Sequence, residues 1–244
     1  MNIGVIPARL DSKRFPKKIL ALLHGKPMIA HVVDRVKEAN SIDRVILAID
    51  SEETQEALAE FDFEMVMTSR QHQSGTDRVA EVIQKIDEAE IIINIQGDEP
   101  LIDPNLIDAL VTTFEDQKVH MSTVVSRRLT VSNLLNPNIV KALLDDQSNC
   151  IEFKRNIFDL EIGGVYRHIG IYGFRRNALY QFTMMEPSQR EVERSLEQLR
   201  ALDNGLPIRA VISNCDQWAV DTEGDLEKVS KIMNNLQKPI QLEY

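Results

Sequence analysis

Residues 91–95 read Ile91-Ile92-Ile93-Asn94-Ile95 and form the strongest strand pattern in the chain. Similar short apolar runs occur at Ile3–Ile6, at Val45–Ile49 and, more weakly, at Glu64–Met67. Continuous runs of this length that are rich in β-branched residues are typical of strands covered on both faces. The sequence therefore predicts four buried strands within its first half.

Helical patterns separate these strands. Pro27 is predicted at the first position of a helix whose apolar stripe runs from Met28 to Val36. Ser51 is predicted to cap a second helix, and residues 79–86 carry a further apolar stripe with helical spacing. Alternation of strands and helices implies right-handed parallel βαβ units. The expected fold class is α/β, a Rossmann-like open, mostly parallel sheet with helices on both faces.

The second half of the chain predicts a different arrangement. Residues 139–144 and 150–153 flank a polar five-residue turn, which favours an inserted antiparallel hairpin. Further elements are expected near 168–172 (strand), 176–182 and 190–202 (helices), 208–211 (strand) and 223–236 (helix).

Composition excludes several classes of protein. The 244 residues include 28 basic and 38 acidic side chains, and the net charge of −10 argues against a general nucleic-acid binder. The 43% hydrophobic share argues against extended disorder, and the apolar runs are too short for a transmembrane helix. Two isolated thiols, Cys150 and Cys215, and an N-terminus without signal-peptide features predict a cytoplasmic protein with no membrane partner.

A basic segment follows the first predicted strand. Residues 9–18 contain five basic side chains in an otherwise acidic chain. Ligands of open α/β sheets bind at the carboxyl ends of strands, and Arg and Lys bind phosphate oxygens. The segment is neither a Walker A motif nor a dinucleotide-binding glycine motif. It predicts a polyanion site for a triphosphate, with a solvated run of surface charge as the alternative.

Polar residues also follow two other strands and precede the last helix. Ser74-Gly75-Thr76 begins a helix, where hydroxyls and free backbone N–H groups are available. Asp98 follows the strongest strand, and Mg²⁺ is commonly held by one or two carboxylates together with phosphate oxygens and water. Asp221 precedes the last helix and is either a second metal ligand or the N-cap of that helix.

These segments resemble the CMP-Kdo synthetase (3-deoxy-manno-octulosonate cytidylyltransferase) family from Ile3 to about Val229. The resemblance is carried by Pro7-Ala8-Arg9-Leu10-Asp11-Ser12-Lys13-Arg14-Phe15-Pro16-Lys17-Lys18, His72-Gln73-Ser74-Gly75-Thr76-Asp77-Arg78, Gln96-Gly97-Asp98-Glu99-Pro100, Arg167-His168-Ile169-Gly170-Ile171-Tyr172 and Leu196-Glu197-Gln198-Leu199-Arg200. It implies an enzyme that couples 3-deoxy-manno-octulosonate (Kdo), an acidic keto-sugar, to CMP from CTP for lipopolysaccharide biosynthesis. Pyrophosphate is released, Mg²⁺ is the cofactor, and the family is usually a homodimer.

The resemblance also assigns roles to individual residues. Arg9, Lys18 and Asp98 are the implied catalytic residues. The implied nucleotide-binding residues are Pro7, Ala8, Arg9, Ser12, Arg14, Lys18, Ser74, Gly75, Thr76 and Arg78. The implied sugar-binding residues are Gln96, Arg155, His168 and Gln198, and the implied metal ligands are Asp98 and Asp221. Within one domain spanning 1–244, residues 1–130 would bind mainly nucleotide, residues 131–215 would bind sugar and the second subunit, and residues 216–244 would return to the core.

The sequence departs from the family pattern at a few positions. Lys17 replaces a glycine in the basic segment, Lys154 replaces a serine, and Arg194 stands where Glu is common. The segment 155–167 is also shorter than usual. Because Lys154 and Arg194 add positive charge on the sugar side, they favour Kdo over an 8-amino analogue.

Three alternative functions remain open at this point. The first is a cytidylyltransferase for a related ulosonic acid such as 8-amino-Kdo. The second is a nucleotide-sugar glycosyltransferase, which also places an acidic turn after a Rossmann-like sheet. The third is an inactive carbohydrate-binding relative, against which the retained Arg9, Lys18, Asp98 and Asp221 argue.

Overall fold

The computed structural model describes residues 1–156 and 164–236. Its strands are β1 (Asn2–Ala8), β2 (Leu22–Leu23), β3 (Lys26–Pro27), β4 (Arg44–Ile49), β5 (Glu64–Met67), β6 (Ile91–Asn94), β7 (Met121–Ser126), β8 (Lys141–Leu144), β9 (Cys150–Lys154), β10 (Val165–Arg175) and β11 (Ile208–Ser213). Its helices are α1 (Met28–Lys37), α2 (Glu52–Ala57), α3 (Gly75–Ile83), α4 (Pro104–Thr112), α5 (Val131–Leu135), α6 (Arg176–Met184), α7 (Gln189–Arg194), α8 (Leu199–Asp203) and α9 (Glu223–Leu236). None of these helices is long and apolar enough to cross a membrane.

The main sheet has the strand order β11-β7-β10-β6-β1-β4-β5. Strands β5, β4, β1 and β6 pair in parallel, as do β7 and β11, whereas β10 runs antiparallel to both β6 and β7. The predicted Rossmann-like, mostly parallel sheet is therefore confirmed. Its parallel strands present their carboxyl ends along one edge.

Alternating side chains of β1 explain why both faces of the sheet are covered. Ile3 and Val5 belong to one buried cluster, which includes the apolar faces of α3 and α6. Ile6 and Ala8 belong to a second cluster, which includes the apolar faces of α1 and α4. The continuous apolar runs in the sequence are thus a consequence of burial on both sides.

The predicted antiparallel hairpin is present as β8 and β9. Strand β10 pairs with β7 along one edge, while its other edge pairs with β8 through residues 165–167 and with β6 through residues 172–175. Because β10 is antiparallel to β6, its first residues extend beyond the carboxyl end of β6. The hairpin therefore lies beyond the strand end that carries Asp98.

Several sequence-based boundaries differ from the structure. Pro27 caps α1 from outside, and the helix begins one residue later, at Met28. The single helix expected over 190–202 is two helices, because Ser195 adopts a left-handed conformation (φ 51°) that ends α7. Strand β7 and helix α4 were not predicted. Of the short segment 155–167, residues 157–163 lie outside the described residues.

Candidate active site

The predicted nucleotide-binding turns lie against the end of β1. A Cβ atom added to Gly75 would lie 3.2 Å from the Pro7 Cγ atom. A Cβ atom added to Gly97 would lie 3.1 Å from the Pro7 carbonyl oxygen and 2.9 Å from the Ile29 Cδ1 atom. Glycine at position 97 thus allows the acidic turn to approach β1 closely. The carboxyl ends of β1 and β6 and the start of α3 are brought together as predicted.

The Lys18 ammonium group lies between two carboxylates. Its Nζ atom donates to Asp98 Oδ2 at 2.7 Å and to the Val220 carbonyl oxygen at 2.9 Å, and it lies 3.5 Å from Asp221 Oδ1. Arg14 donates to the same Asp221 oxygen at 2.7 Å. The Lys18 side chain is only 14% exposed, so its ion pairs are less screened by solvent than surface pairs. Four residues from three separate segments of the chain, Arg14 and Lys18, Asp98, and Asp221, form one charged cluster.

Backbone conformation at Lys17 positions Lys18. Lys17 has φ 53° and ψ 29°, a left-handed conformation that glycine adopts without steric cost. This is the position where the family usually has glycine. The left-handed residue directly precedes the 3₁₀ turn Lys18–Leu20, so Lys17 adopts a conformation that a glycine could also adopt. Lys17 itself forms an exposed ion pair with Glu53.

The alternative role of Asp221 as a helix cap is not what the geometry shows. The hydroxyl of Thr222 accepts from the Asp225 backbone N–H at 3.3 Å, and the Asp225 carboxylate accepts from the Thr222 N–H at 3.1 Å. Thr222 and Asp225 therefore cap α9 reciprocally. The Asp221 carboxylate is left to pair with Arg14 and Lys18.

Asp98 and Asp221 offer a donor set that suits Mg²⁺. Both carboxylates lie within 3.5 Å of the same Lys18 nitrogen, and carboxylate oxygens are the ligands that Mg²⁺ prefers. Within residues 1–156 and 164–236 no group of three or more His, Cys, Asp or Glu side chains is placed to hold a metal. Two carboxylates are enough where phosphate oxygens and water complete the coordination.

Arg78 is connected to the basic segment through Asp50. Its guanidinium is 2% exposed and donates to Thr68 and, at 3.1 Å, to Asp50 Oδ2. The other oxygen of Asp50 accepts from the Leu10 backbone N–H at 3.0 Å. Arg78 is thus connected to the basic segment 9–18 through Asp50, whereas the resemblance implied a direct contact with the nucleotide. Sequence reasoning missed Asp50, although it directly follows strand β4 at the edge where ligands bind.

Two further predicted nucleotide-binding residues, Arg9 and Ser12, lie in the basic segment. The Arg9 side chain is exposed and has no hydrogen bond or ion pair with the parts of the chain that the structure describes. Ser12 is half-buried in the same segment. Their backbone and side chains are available to an anionic ligand.

The predicted base-reading turn is a capped helix start. The Ser74 hydroxyl accepts from the Asp77 N–H at 3.1 Å, and the Asp77 carboxylate accepts from the Ser74 N–H at 3.2 Å. The N–H groups of Gly75 and Thr76 belong to the first turn of α3 and have no partner within the helix. They are the donors that this turn can offer to a ligand.

Two predicted sugar-binding residues lie beside the start of β10. His168 is 7% exposed, its Nε2 atom lies 3.0 Å from the Thr123 hydroxyl, and its ring packs edge-on against Phe153. The Gln96 amide donates to the Gly170 carbonyl oxygen at 3.0 Å. The third residue, Gln198, is buried immediately before α8.

Arg155, the fourth predicted sugar-binding residue, makes backbone contacts in this structure. Its guanidinium donates to the carbonyl oxygens of Arg194 (3.0 Å), Ser195 (3.1 Å) and Pro137 (3.2 Å). These bonds tie the end of α7 to the hairpin. Arg155 thus holds the connection that carries Gln198 against the hairpin.

The charge argument drawn from Arg194 is wrong. Its guanidinium donates to Glu152 Oε1 and to the Phe153 carbonyl oxygen, each at 3.1 Å. Glu152 compensates that charge and also pairs with Arg190. Lys154 is exposed to solvent, where its field is screened. These residues give no electrostatic reason to reject an amino sugar.

Replacement of His168 by Gln is expected to reduce the acid sensitivity of folding. Burial lowers the pKa of His168 from 6.5 to about 3, so the folded imidazole stays neutral in mild acid while the unfolded one takes up a proton. The free energy of unfolding therefore falls as pH falls below 6.5, by up to about 1.4 kcal/mol per pH unit. Urea titrations between pH 7.5 and 5.5 should show a shallower decline for His168→Gln.

The exposed His120 provides the matched control for this measurement. His120→Gln makes the same chemical change outside the core and should retain the wild-type pH profile. Parallel profiles for wild type and His168→Gln would contradict the assignment of a buried, neutral imidazole.

Known proteins resemble this chain over most of its length. Residues 3–210 match the cytidylyltransferase family. A relative from Geobacter metallireducens, named 3-deoxy-manno-octulosonate cytidylyltransferase, is 41% identical over 250 residues, which cover 96% of this chain and 98% of the relative. A relative of the same name from Chloroherpeton thalassium is 40% identical over 237 residues, which cover 94% of this chain and 96% of the relative.

Solved structures agree with this grouping. A CMP:2-keto-3-deoxy-manno-octonic acid synthetase complexed with CTP superimposes with a TM-score of 0.90 and is 33% identical, covering 96% of this chain and 99% of its own. An inositol-1-phosphate CTP transferase from T. maritima has a TM-score of 0.69 at 17% identity, covers 98% of this chain and 97% of its own, and supports the fold alone. Sequence, fold and full-length relatives agree that the chain belongs to the cytidylyltransferase family.

Proposed function

We propose that this protein couples Kdo to CMP from CTP and releases pyrophosphate, as a step of lipopolysaccharide biosynthesis. The observation that carries the proposal is the cluster of Lys18, Asp98 and Asp221 beside the basic segment. The names of full-length relatives at about 40% identity supply the sugar. The alternative is a related ulosonic acid such as 8-amino-Kdo.

The residues of the chain divide the chemistry between them. The anomeric hydroxyl of the sugar attacks the α-phosphorus and loses its proton to solvent. The new phosphorus–oxygen bond forms as the bond to the leaving pyrophosphate breaks. Arg9, Arg14 and Lys18 neutralise the phosphate charge, since nucleotidyl transfer depends mainly on positioning and charge stabilisation. Asp98 and Asp221 would hold Mg²⁺, which supplies charge stabilisation at the phosphate and lowers the pKa of a bound hydroxyl.

Release of pyrophosphate tests the proposal directly. Pyrophosphate should appear from CTP plus Kdo in the presence of Mg²⁺ and not in the presence of a chelator. CTP should be preferred over ATP by at least about 100-fold, because a turn that pairs with a pyrimidine edge leaves a purine excluded or unpaired. Comparable turnover with ATP would contradict the role of Ser74–Thr76 in reading the base.

Comparison of sugars and donors separates the alternatives. The relative kcat/KM values for Kdo and 8-amino-Kdo decide between the two sugars, because the paired Arg194 gives no electrostatic reason to favour either one. A glycosyltransferase would transfer sugar from a CMP-sugar and would form no pyrophosphate from CTP. An inactive relative would bind the sugar without turnover.

Replacement of Asp221 is expected to separate metal binding from helix capping. Asp221→Asn should raise the Mg²⁺ concentration needed for half-maximal activity and lower kcat by tens-fold, with the midpoint of thermal unfolding nearly unchanged. Thr222→Ala, at the adjacent cap, should cost about 1 kcal/mol of stability and leave kcat intact. Normal turnover together with a loss of stability in Asp221→Asn would restore the capping role.

The remaining expectations are a homodimer and a cytoplasmic location. Large apolar side chains are exposed at several places in the 131–215 region, which is the part expected to bind a second subunit. They are Val131, Leu135, Ile151, Met184 and Val192. Light scattering should give the mass of two chains, and Leu135→Asp or Val192→Asp should lower it if these surfaces form the contact.

A further inference from the structure

Side-chain hydrogen bonds connect the base-reading turn with the sugar side of the site. The Asn94 amide donates to the Thr76 hydroxyl oxygen at 3.1 Å, and this hydroxyl donates to Glu197 Oε2 at 3.1 Å. A hydroxyl group of the base-reading turn therefore meets a carboxylate that lies more than a hundred residues further along the chain.

The break between α7 and α8 explains how Glu197 reaches this turn. The left-handed Ser195 ends α7, and α8 begins only at Leu199. Within this short connection, Glu197 contacts the nucleotide half, while Gln198, a predicted sugar contact, is buried directly beside it. A movement of the connection on sugar binding would therefore be transmitted to the base-reading turn through the hydrogen bond between Thr76 and Glu197.

Two oxygen atoms of this cluster have spare hydrogen-bonding capacity. Asn94 Oδ1 and Glu197 Oε1 are shielded from solvent and have no donor within the described part of the chain. Burial raises the pKa of Glu197, while the hydrogen bond from the Thr76 hydroxyl and the charge of Arg200 oppose that rise. Unpaired buried acceptors are uncommon, so the cluster is suited to receive a donor such as a ligand hydroxyl.

We propose that Glu197 is a positioning residue that couples recognition of the base to binding of the sugar, through its hydrogen bond to Thr76. The proposal rests on the function proposed above. Binding of either ligand fixes the Glu197 carboxylate. The part of the site that binds the second ligand is then already ordered, so the second ligand binds more tightly. The coupling is reciprocal, because it is a free energy shared by the two sites.

Calorimetric titration of CTP into the whole protein with Mg²⁺ tests this coupling. The titration is repeated with a saturating Kdo analogue that lacks the anomeric hydroxyl and so cannot attack. The analogue should tighten CTP binding at least about 5-fold in the wild type, the lower end of typical coupling factors. The factor should fall to near 1 in Thr76→Val and in Glu197→Met, and it should persist in Thr76→Ser, which keeps the hydroxyl.

Each other outcome overturns a defined part of the argument. The coupling is overturned if the CTP affinity of the wild type does not respond to the analogue, or if either Thr76→Val or a folded Glu197→Met protein keeps full coupling. It is also overturned if Thr76→Ser is as defective as Thr76→Val. If Glu197→Met does not fold, the pair of Thr76 variants decides alone. Absence of CTP binding in the wild type would contradict the proposed function itself, and the coupling with it.

Discussion

Asp98→Asn is expected to lower kcat for pyrophosphate release by about 100-fold or more, with little change in thermal stability. The Asp98 carboxylate accepts a hydrogen bond from the Lys18 ammonium at 2.7 Å, and Asp221 lies 3.5 Å from the same Lys18 nitrogen. Asparagine keeps the shape but removes the negative charge that a metal needs, and one charge-stabilising contact in such a site contributes about 3 kcal/mol to the transition state. Activity should recover partly at high Mg²⁺.

Asp103 supplies a matched control five residues away. Its carboxylate caps α4 by accepting from the Asn105 N–H at 3.0 Å, and asparagine caps a helix about as well. Asp103→Asn makes the same chemical change in the same loop and should keep wild-type kcat and Mg²⁺ dependence. Full turnover by Asp98→Asn at ordinary Mg²⁺ would remove Asp98 from the proposed metal site.

The elements that were predictable from sequence are those whose signal is local. Four of residues 91–95 are isoleucine because β6 is buried on both faces, so the strand and the position of Asp98 after its end could be predicted directly. Strand β7 was missed because its buried sequence, Met121–Ser126, includes two serines and a threonine. The Thr123 and Ser126 hydroxyls are satisfied by backbone carbonyls, which only the folded neighbours provide.

The site residues divide in the same way. Lys18, Asp98 and Asp221 belong to short motifs at strand or helix ends, and the fold brings them together. The partners of Arg78 and Arg194 could not be predicted, because Asp50 and Glu152 meet them only across separate elements. The capping role of Thr222 could not be predicted for a different reason. Asp is also a favourable N-cap residue, so only the geometry of the first turn of α9 shows that Thr222, and not Asp221, is the cap.

Lys18→Ala is expected to lower kcat/KM for CTP by about 100- to 1000-fold, the cost of removing one donor from a site that stabilises developing charge. The affinity for the sugar should change little. Without ligands, the Lys18 ammonium lies where it competes with a metal ion for Asp98 and Asp221. Its removal leaves two carboxylates without their shared cation, so Mg²⁺ should bind at least as tightly as in the wild type.

The neighbouring Lys17 completes the experiment, because its ammonium pairs with Glu53 on the surface. Lys17→Ala removes a positive charge one residue away and should keep kcat/KM within about twofold, since an exposed ion pair contributes little. If Lys18 binds phosphate, Lys18→Ala should lower turnover without raising the Mg²⁺ requirement. Asp98→Asn, in contrast, should raise the Mg²⁺ requirement. If Lys18→Ala instead raises the Mg²⁺ requirement and high Mg²⁺ restores its turnover, Lys18 acts by orienting the carboxylates and does not stabilise the phosphates.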